Sequence, residues 1–192
     1  MRPAVSALAV VTALLTFPLA HAVDYPTAQQ IQAAVDAGVA KSPSPVPIAL
    51  RITSLRGCRP SPEVKEETVC LVGMSAGMRD GYTVLPLRQD GGVWAGVQRK
   101  GAEFPGPSPD EAKAAMNTWA EHELATNPEA AKDAQIKAIP TIGVKAVELC
   151  EVARKTGYLE CEATLTIPGQ ADVKTDFKFE LDSNGWRFIP RR

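Results

Sequence analysis

Leu159-Glu160-Cys161-Glu162-Ala163-Thr164-Leu165-Thr166-Ile167 alternates apolar and polar residues along its whole length. Such a period-two pattern buries one face of a strand and leaves the other in water, the mark of an antiparallel sheet. The next segment repeats it. Val173, Phe177, Phe179 and Leu181 lie on one side with Thr175, and Asp172, Lys174, Asp176, Lys178 and Glu180 lie on the other. Ser183-Asn184-Gly185 then turns the chain into a last short strand that carries Trp186 and Phe188 or Ile189.

Cys150, Cys161 and Trp186 frame this region, and Cys58, Cys70 and Trp94 recur earlier in the same order. The spacing from first cysteine to tryptophan is equal in both frames, and Asp90 and Asp182 stand at the same offset before the tryptophan. One supersecondary unit used twice accounts for the recurrence. Four cysteines allow three connectivities, and the repeat selects Cys58–Cys70 and Cys150–Cys161. Each bridge would close a short hairpin-like loop, worth about 2–3 kcal/mol in the chain-entropy model. Zinc is the rival use of four cysteines, but no Cys-x-x-Cys pair is present and no histidine accompanies them.

The first unit spans residues 23–100. Thr27 can cap a helix whose apolar positions are Ile31, Val35 and Val39, and the three prolines of Lys41–Pro47 end it. Extended runs follow at Ile48–Leu55, Thr68–Ala76, Tyr82–Leu87 and Val93–Gln98, broken by Gly81 and by Gly91-Gly92. Residues 101–107, with Pro105-Gly106-Pro107, form the expected linker. The second unit, 108–192, opens on Ser108-Pro109-Asp110-Glu111, which reads as a capping box with proline in the first turn. Ala112, Met116, Trp119 and Leu124 mark its inner face. Asn127-Pro128 interrupts the helix, and a shorter one follows from Glu129 to Lys137.

The expected fold is therefore α+β: a tandem repeat of one helix plus a four-stranded antiparallel meander, with the helix on the apolar sheet face. This element order resembles the cystatin-like layout. In its doubling, with one hairpin disulfide per copy, it also resembles secreted beta-lactamase inhibitory proteins. The resemblance lies in element order and cysteine placement, and no binding residue transfers from it.

The N-terminus reads as a cleaved signal peptide over residues 1–22. Arg2 is followed by an almost wholly apolar run from Ala4 to Ala20, and Ala20-His21-Ala22 fits the small-x-small cleavage pattern. All four cysteines lie beyond it, which suits an oxidising periplasmic or secreted setting. No later stretch is apolar and long enough to span a bilayer. The formal net charge is −1, so there is no basic excess for nucleic acid or anionic lipid. The basic ending, Trp186 to Arg192, reads as a solvated tail.

The first unit departs from the alternation of the second. With Cys70, Val72, Met74 and Ala76 facing its helix, Leu71, Tyr82 and Val84 point outward where the second unit shows charge. Such a patch asks for a cover. Packing against the second unit is one expectation. A surface for another exported or envelope protein is the other, with Arg51 and Thr53 on the neighbouring strand as further contacts.

Catalytic signals are sparse. Gly73-Met74-Ser75-Ala76-Gly77 matches Gly-x-Ser-x-Gly, and His122 follows with Asp80, Asp90 or Asp110 between. A nucleophile elbow needs a strand-to-helix turn, whereas Ser75 is followed by Met78-Arg79-Asp80-Gly81-Tyr82, a turn into another strand. His122 sits in a helical pattern as an ordinary half-exposed residue. Glu160 with Glu162, and Asp172 with Asp176, occupy polar strand positions beside Lys174 and Lys178, which favours cross-strand ion pairs over a glycosidase pair. Trp94 and Trp186 read as core anchors. No cofactor or metal motif appears. The expectation is an exported non-enzymatic protein-binding module, such as an inhibitor of another exported protein. The alternatives are a structural accessory of envelope assembly and a small serine hydrolase.

Overall fold

The computed structural model describes residues 24–41 and 49–190. The expected signal segment, residues 1–22, lies outside the described residues. Helix α1 (Ala28–Lys41) is followed by strands β1 (Leu50–Pro60), β2 (Glu67–Ala76), β3 (Arg79–Asp90) and β4 (Val93–Gly96). Helices α2 (Pro109–Thr126) and α3 (Ala134–Ala138) then lead to β5 (Gly143–Val152), β6 (Leu159–Thr166), β7 (Val173–Asp182) and β8 (Gly185–Ile189). The strands form two four-stranded antiparallel sheets, each in sequence order. The chain is thus α+β, a helix and a meander used twice.

The halves match in detail. Both disulfides form, Cys58–Cys70 and Cys150–Cys161, with Cα atoms 4.1 Å and 4.0 Å apart. Each ties the first strand of its sheet to the second. Trp94 pairs with Gln89 and Trp186 with Leu181, so both are the second ladder residue beyond a tight turn. Each main helix opens with a capping box. The backbone N–H of Glu111 donates to Ser108 Oγ at 3.2 Å and that of Ser108 to Glu111 Oε2 at 2.9 Å. At the other helix, Gln30 N–H donates to Thr27 Oγ1 and Thr27 N–H to Gln30 Oε1. Tyr25, two residues before the first cap, packs against the first core, and Phe104, four residues before the second, is buried in the second.

The first core lies between α1 and the inner face of β1–β4: Ile31, Ala34, Cys58, Cys70, Val72, Leu87 and Trp94. One expectation is corrected here. Val39 is 41 % exposed, and Ala34 takes the buried place beside Ile31. Steps of four residues drift about 40° around a helix, so Val39 turns away from the stripe that Ile31 begins.

The second core is shared between the halves. Val69 and Leu71 of β2 join Phe104, Ala112, Leu159, Cys161, Phe179 and Leu181 in one cluster, with Tyr82 and Val84 packed against it. The back of the first sheet is therefore covered by the chain's own second half. Leu71 is fully buried. The backbone N–H of Tyr82 donates to Arg154 O at 2.7 Å, and its hydroxyl accepts from Arg56 Nη2 at 3.1 Å. A Cβ at Gly157, where φ is +73°, would lie 2.5 Å from the Tyr82 ring, and one at Gly57 would lie 2.6 Å from Leu181 Cδ2. Arg56 also pairs with Glu180 at 2.6 Å, and Arg59 pairs with Glu111 and lies over Trp186. The connection at 101–107 is packed as well: Phe104 is buried and Gly106 abuts the Cys150–Cys161 sulfurs.

A polar knot closes the base of the first sheet. The buried Glu67 carboxylate is held by Arg88 at 3.2 Å and by Arg99 at 2.9 Å, and Arg99 also pairs with Glu63. The hydrogen bond from Arg99, with the Glu103 N–H second, holds the Glu63 carboxyl below the usual glutamate range. A carboxyl lowered on folding contributes stability above its unfolded range and loses it as pH falls through the folded value. Arg99→Met is expected to return Glu63 to the ordinary range in a side-chain NMR titration and to flatten the acid limb of the stability curve. An unmoved Glu63 titration would contradict the pairing.

Leu149 is the one non-glycine residue with positive φ among the described residues, at +51°, and it is 77 % exposed in a bulge of β5 beside Cys150. Left-handed backbone costs a side-chain-bearing residue about 1–2 kcal/mol. Leu149→Gly is expected to stabilise the chain by about 0.5–1 kcal/mol after glycine's entropy is subtracted, raising the melting temperature by about 1–4 °C. An unchanged or lower melting temperature would show that the conformation is not strained.

Candidate functional site

With the first sheet's back covered, an unfilled apolar concavity among the described residues lies in the second half. The first half packs on the Leu159, Phe179 and Leu181 end of the second sheet. α2 packs on β5 and β8, whereas α3 and the connections around it stand off the sheet, and a groove of about 700 Å³ lies between them. That volume lies within the range of ligand sites.

The groove follows from local sequence. Pro128 cannot continue α2, and Asn127, in extended conformation, caps it. A 3-10 turn at Ala130–Lys132 leads to Asp133, whose carboxylate accepts from the Gln135 and Ile136 N–H groups and starts α3. A second 3-10 turn, Ile139–Thr141, carries Pro140. Lys113 of α2 pins this excursion by donating to Ile139 O at 2.7 Å, and partial burial lowers its ammonium pKa. Ile136, Ile139 and Ile142 thereby face Met116, Trp119, Leu165, Phe177 and Phe188. The aromatic floor is edge-packed: Trp119 to Phe188 at 5.5 Å and Phe177 to Phe188 at 5.0 Å. Trp119, Phe177 and Phe188 are only half-buried. The charged lining residues are Glu123, Asp133 and Asp176, all carboxylates.

Of the contact residues expected from sequence, Leu71, Tyr82 and Val84 do come together, on the back of the first sheet. They meet the second half there, which corrects the reading of them as a face for another molecule. Arg51 and Thr53 are exposed on β1, outside that core. Ser75 lies within the first sheet's ladder between Arg51 and Asp80, with no helix after it. His122 is on α2 in the other half, exposed, lining a recess of about 570 Å³ with Tyr158, Trp186 and Arg187. The strand carboxylates are ion-paired: Glu160 with Lys178, Glu162 with Lys174 and Asp172 with Lys145. Among the described residues no group of three or more His, Cys, Asp or Glu side chains converges. Nor is any helix among them long and apolar enough to cross a membrane. The groove residues Ile136, Ile139 and Ile142 went unread in the sequence. Their three-residue spacing after Pro128 was the available signal.

No protein-family model matches the chain, and no curated protein matches it in sequence.

Proposed function

We propose that the chain is an exported, non-enzymatic protein-binding module, such as an inhibitor of another exported protein, and that its contact surface is the groove of the second half. One observation carries this: Trp119, Phe177, Phe188 and Ile136, all half-buried, converge with Met116, Ile139 and Ile142 on one concavity of about 700 Å³. A half-wet cluster of aromatic and aliphatic side chains is the composition of an interface anchor site. The apolar N-terminus ending in Ala20-His21-Ala22 and the two disulfides support export, with Val23 as the first residue of the mature chain. Mass spectrometry of the protein recovered from its own envelope tests that start directly.

Binding is tested by comparing capture from envelope extract by the oxidised chain and by Ile136→Asp/Ile139→Asp, both verified as folded by melting. The expected result is a protein held by the unaltered chain and lost from the variant. If it is soluble and exported, an inhibitor role is favoured. If it belongs to membrane machinery, the protein is an accessory of envelope assembly. Identical recovery by both chains would contradict the groove as the contact surface.

A further inference from the structure

Two hairpin tips meet at one end of the molecule. Leu71 and Leu159 share the central cluster. From there β2 runs out to the Gly77-Met78 turn, and the chain before β6 leads out to the turn at residues 154–156. The two stay together on the way, since the Tyr82 N–H donates to Arg154 O at 2.7 Å. β1 starts at the same end, where Arg51 pairs with Ser75. This end carries Arg51, Arg79, Arg154 and Lys155, all exposed, and Met78, which is fully exposed at the hairpin tip. Gly77, with φ +65°, allows the tight turn that puts Met78 there. Among the described residues none of the four cations forms an ion pair. Two carboxylates lie near them: Asp80 shares a ladder row with Arg51 and Ser75, and Asp36 of α1 accepts from Gln32, which also bonds Leu50 and Ile52. The segments outside the described residues contain no Asp or Glu, so none of their side chains offsets the excess. From β1 across β2 and β3 to Arg154 is three strand spacings, about 14 Å, so the cations form a broad front.

The whole-chain charge of −1 conceals this unevenness, and on that charge alone an anionic surface would repel the protein. A small anion would meet single cations on a convex end. An acidic protein surface would pair with the cations and leave Met78 in water. An anionic bilayer takes both: phosphate headgroups face the cations, and an apolar side chain standing ahead of them enters the boundary between headgroups and acyl chains. We infer that this end docks on an anionic phospholipid surface, with Arg51, Arg79, Arg154 and Lys155 against the headgroups and Met78 inserted. Leu165, which lines the groove, lies at the end of β6 away from this turn, so docking leaves the groove free. The inference is independent of the groove and adds attachment to a membrane surface.

The test is flotation of the oxidised mature chain, Val23 to Arg192, with vesicles of equal parts phosphatidylglycerol and phosphatidylcholine, against phosphatidylcholine alone. At about 0.01 M salt the chain is expected to partition at least about tenfold more strongly onto the anionic vesicles, and about 1 M salt is expected to release it. Arg154→Glu/Lys155→Glu, on an exposed turn, is expected to weaken partitioning at least about tenfold with the melting temperature unchanged. Met78→Ser is expected to weaken it at least about threefold without altering its response to salt. Equal partitioning onto both vesicle types, or no response to the charge reversals, would overturn the inference. Binding to poly-glutamate without binding to the anionic vesicles would overturn it too, and would mark the front as a site for an acidic protein. Unchanged partitioning of Met78→Ser would overturn docking through this tip.

Discussion

Gly106→Ala is expected to lower the melting temperature of the oxidised chain by about 6–12 °C, the equivalent of about 3 kcal/mol. Gly106 sits in the connection between the halves with its Cα against the second disulfide. A Cβ there would collide with Cys150 Sγ and lie 3.3 Å from Cys161 Sγ. Flexible side chains often swing aside from such a methyl group, but a cystine tied into two strands has no free torsion to do so. Phe104, two residues earlier, is buried in the shared core, so the connection cannot lift away cheaply either. Differential scanning calorimetry of Gly106→Ala reads the loss. In a Cys150→Ala/Cys161→Ala background the obstructing sulfurs are gone, and the same change is expected to cost under about 1 kcal/mol. Equal costs in the two backgrounds would show that the sulfur contact is not the cause.

Leu71→Ala is expected to cost about 3–4 kcal/mol, within the range for fully buried leucines. Leu71 has no exposed surface, and its neighbours Leu159, Phe179 and Leu181 belong to the other half of the chain. Denaturant unfolding should therefore show both halves weakened together. Leu71→Glu should fail to give a folded chain, because a carboxylate there has no buried partner to offset its desolvation. If Leu71→Glu melted with the unaltered chain, the back of the first sheet would be an open surface and the shared core would be wrong.

The parts of the fold that were legible in the sequence are those written in short-range chemistry. Alternation from Leu159 to Thr166 reports which strand face is buried, and the structure bears it out; along β7 the expectation is corrected at both ends, since Val173 is exposed and Glu180 is buried in ion pairs with Arg56 and Arg187. The cysteine–tryptophan frames report the repeat and the disulfide pairing. Ser108 and Glu111 mark a helix start because a capping box lies within four residues. What covers Leu71 was undecided, because apolar residues on a second strand face state a need without naming the partner. That partner is supplied by Leu159, Phe179 and Leu181, close in space and remote along the chain. The groove was hidden for a related reason. Phe177 and Phe188 read as core from their alternation, and only the stand-off of residues 127–142 leaves them half-wet.

Peptide-resolved native-state hydrogen exchange with increasing denaturant is the direct test of the shared core. Amides at Cys70–Val72 in β2 and at Cys161–Ala163 in β6 are expected to converge on one opening free energy, since each strand supplies part of the same packed cluster. Exchange of one set at distinctly lower denaturant, with the other still protected, would show two halves folding independently and would contradict the account.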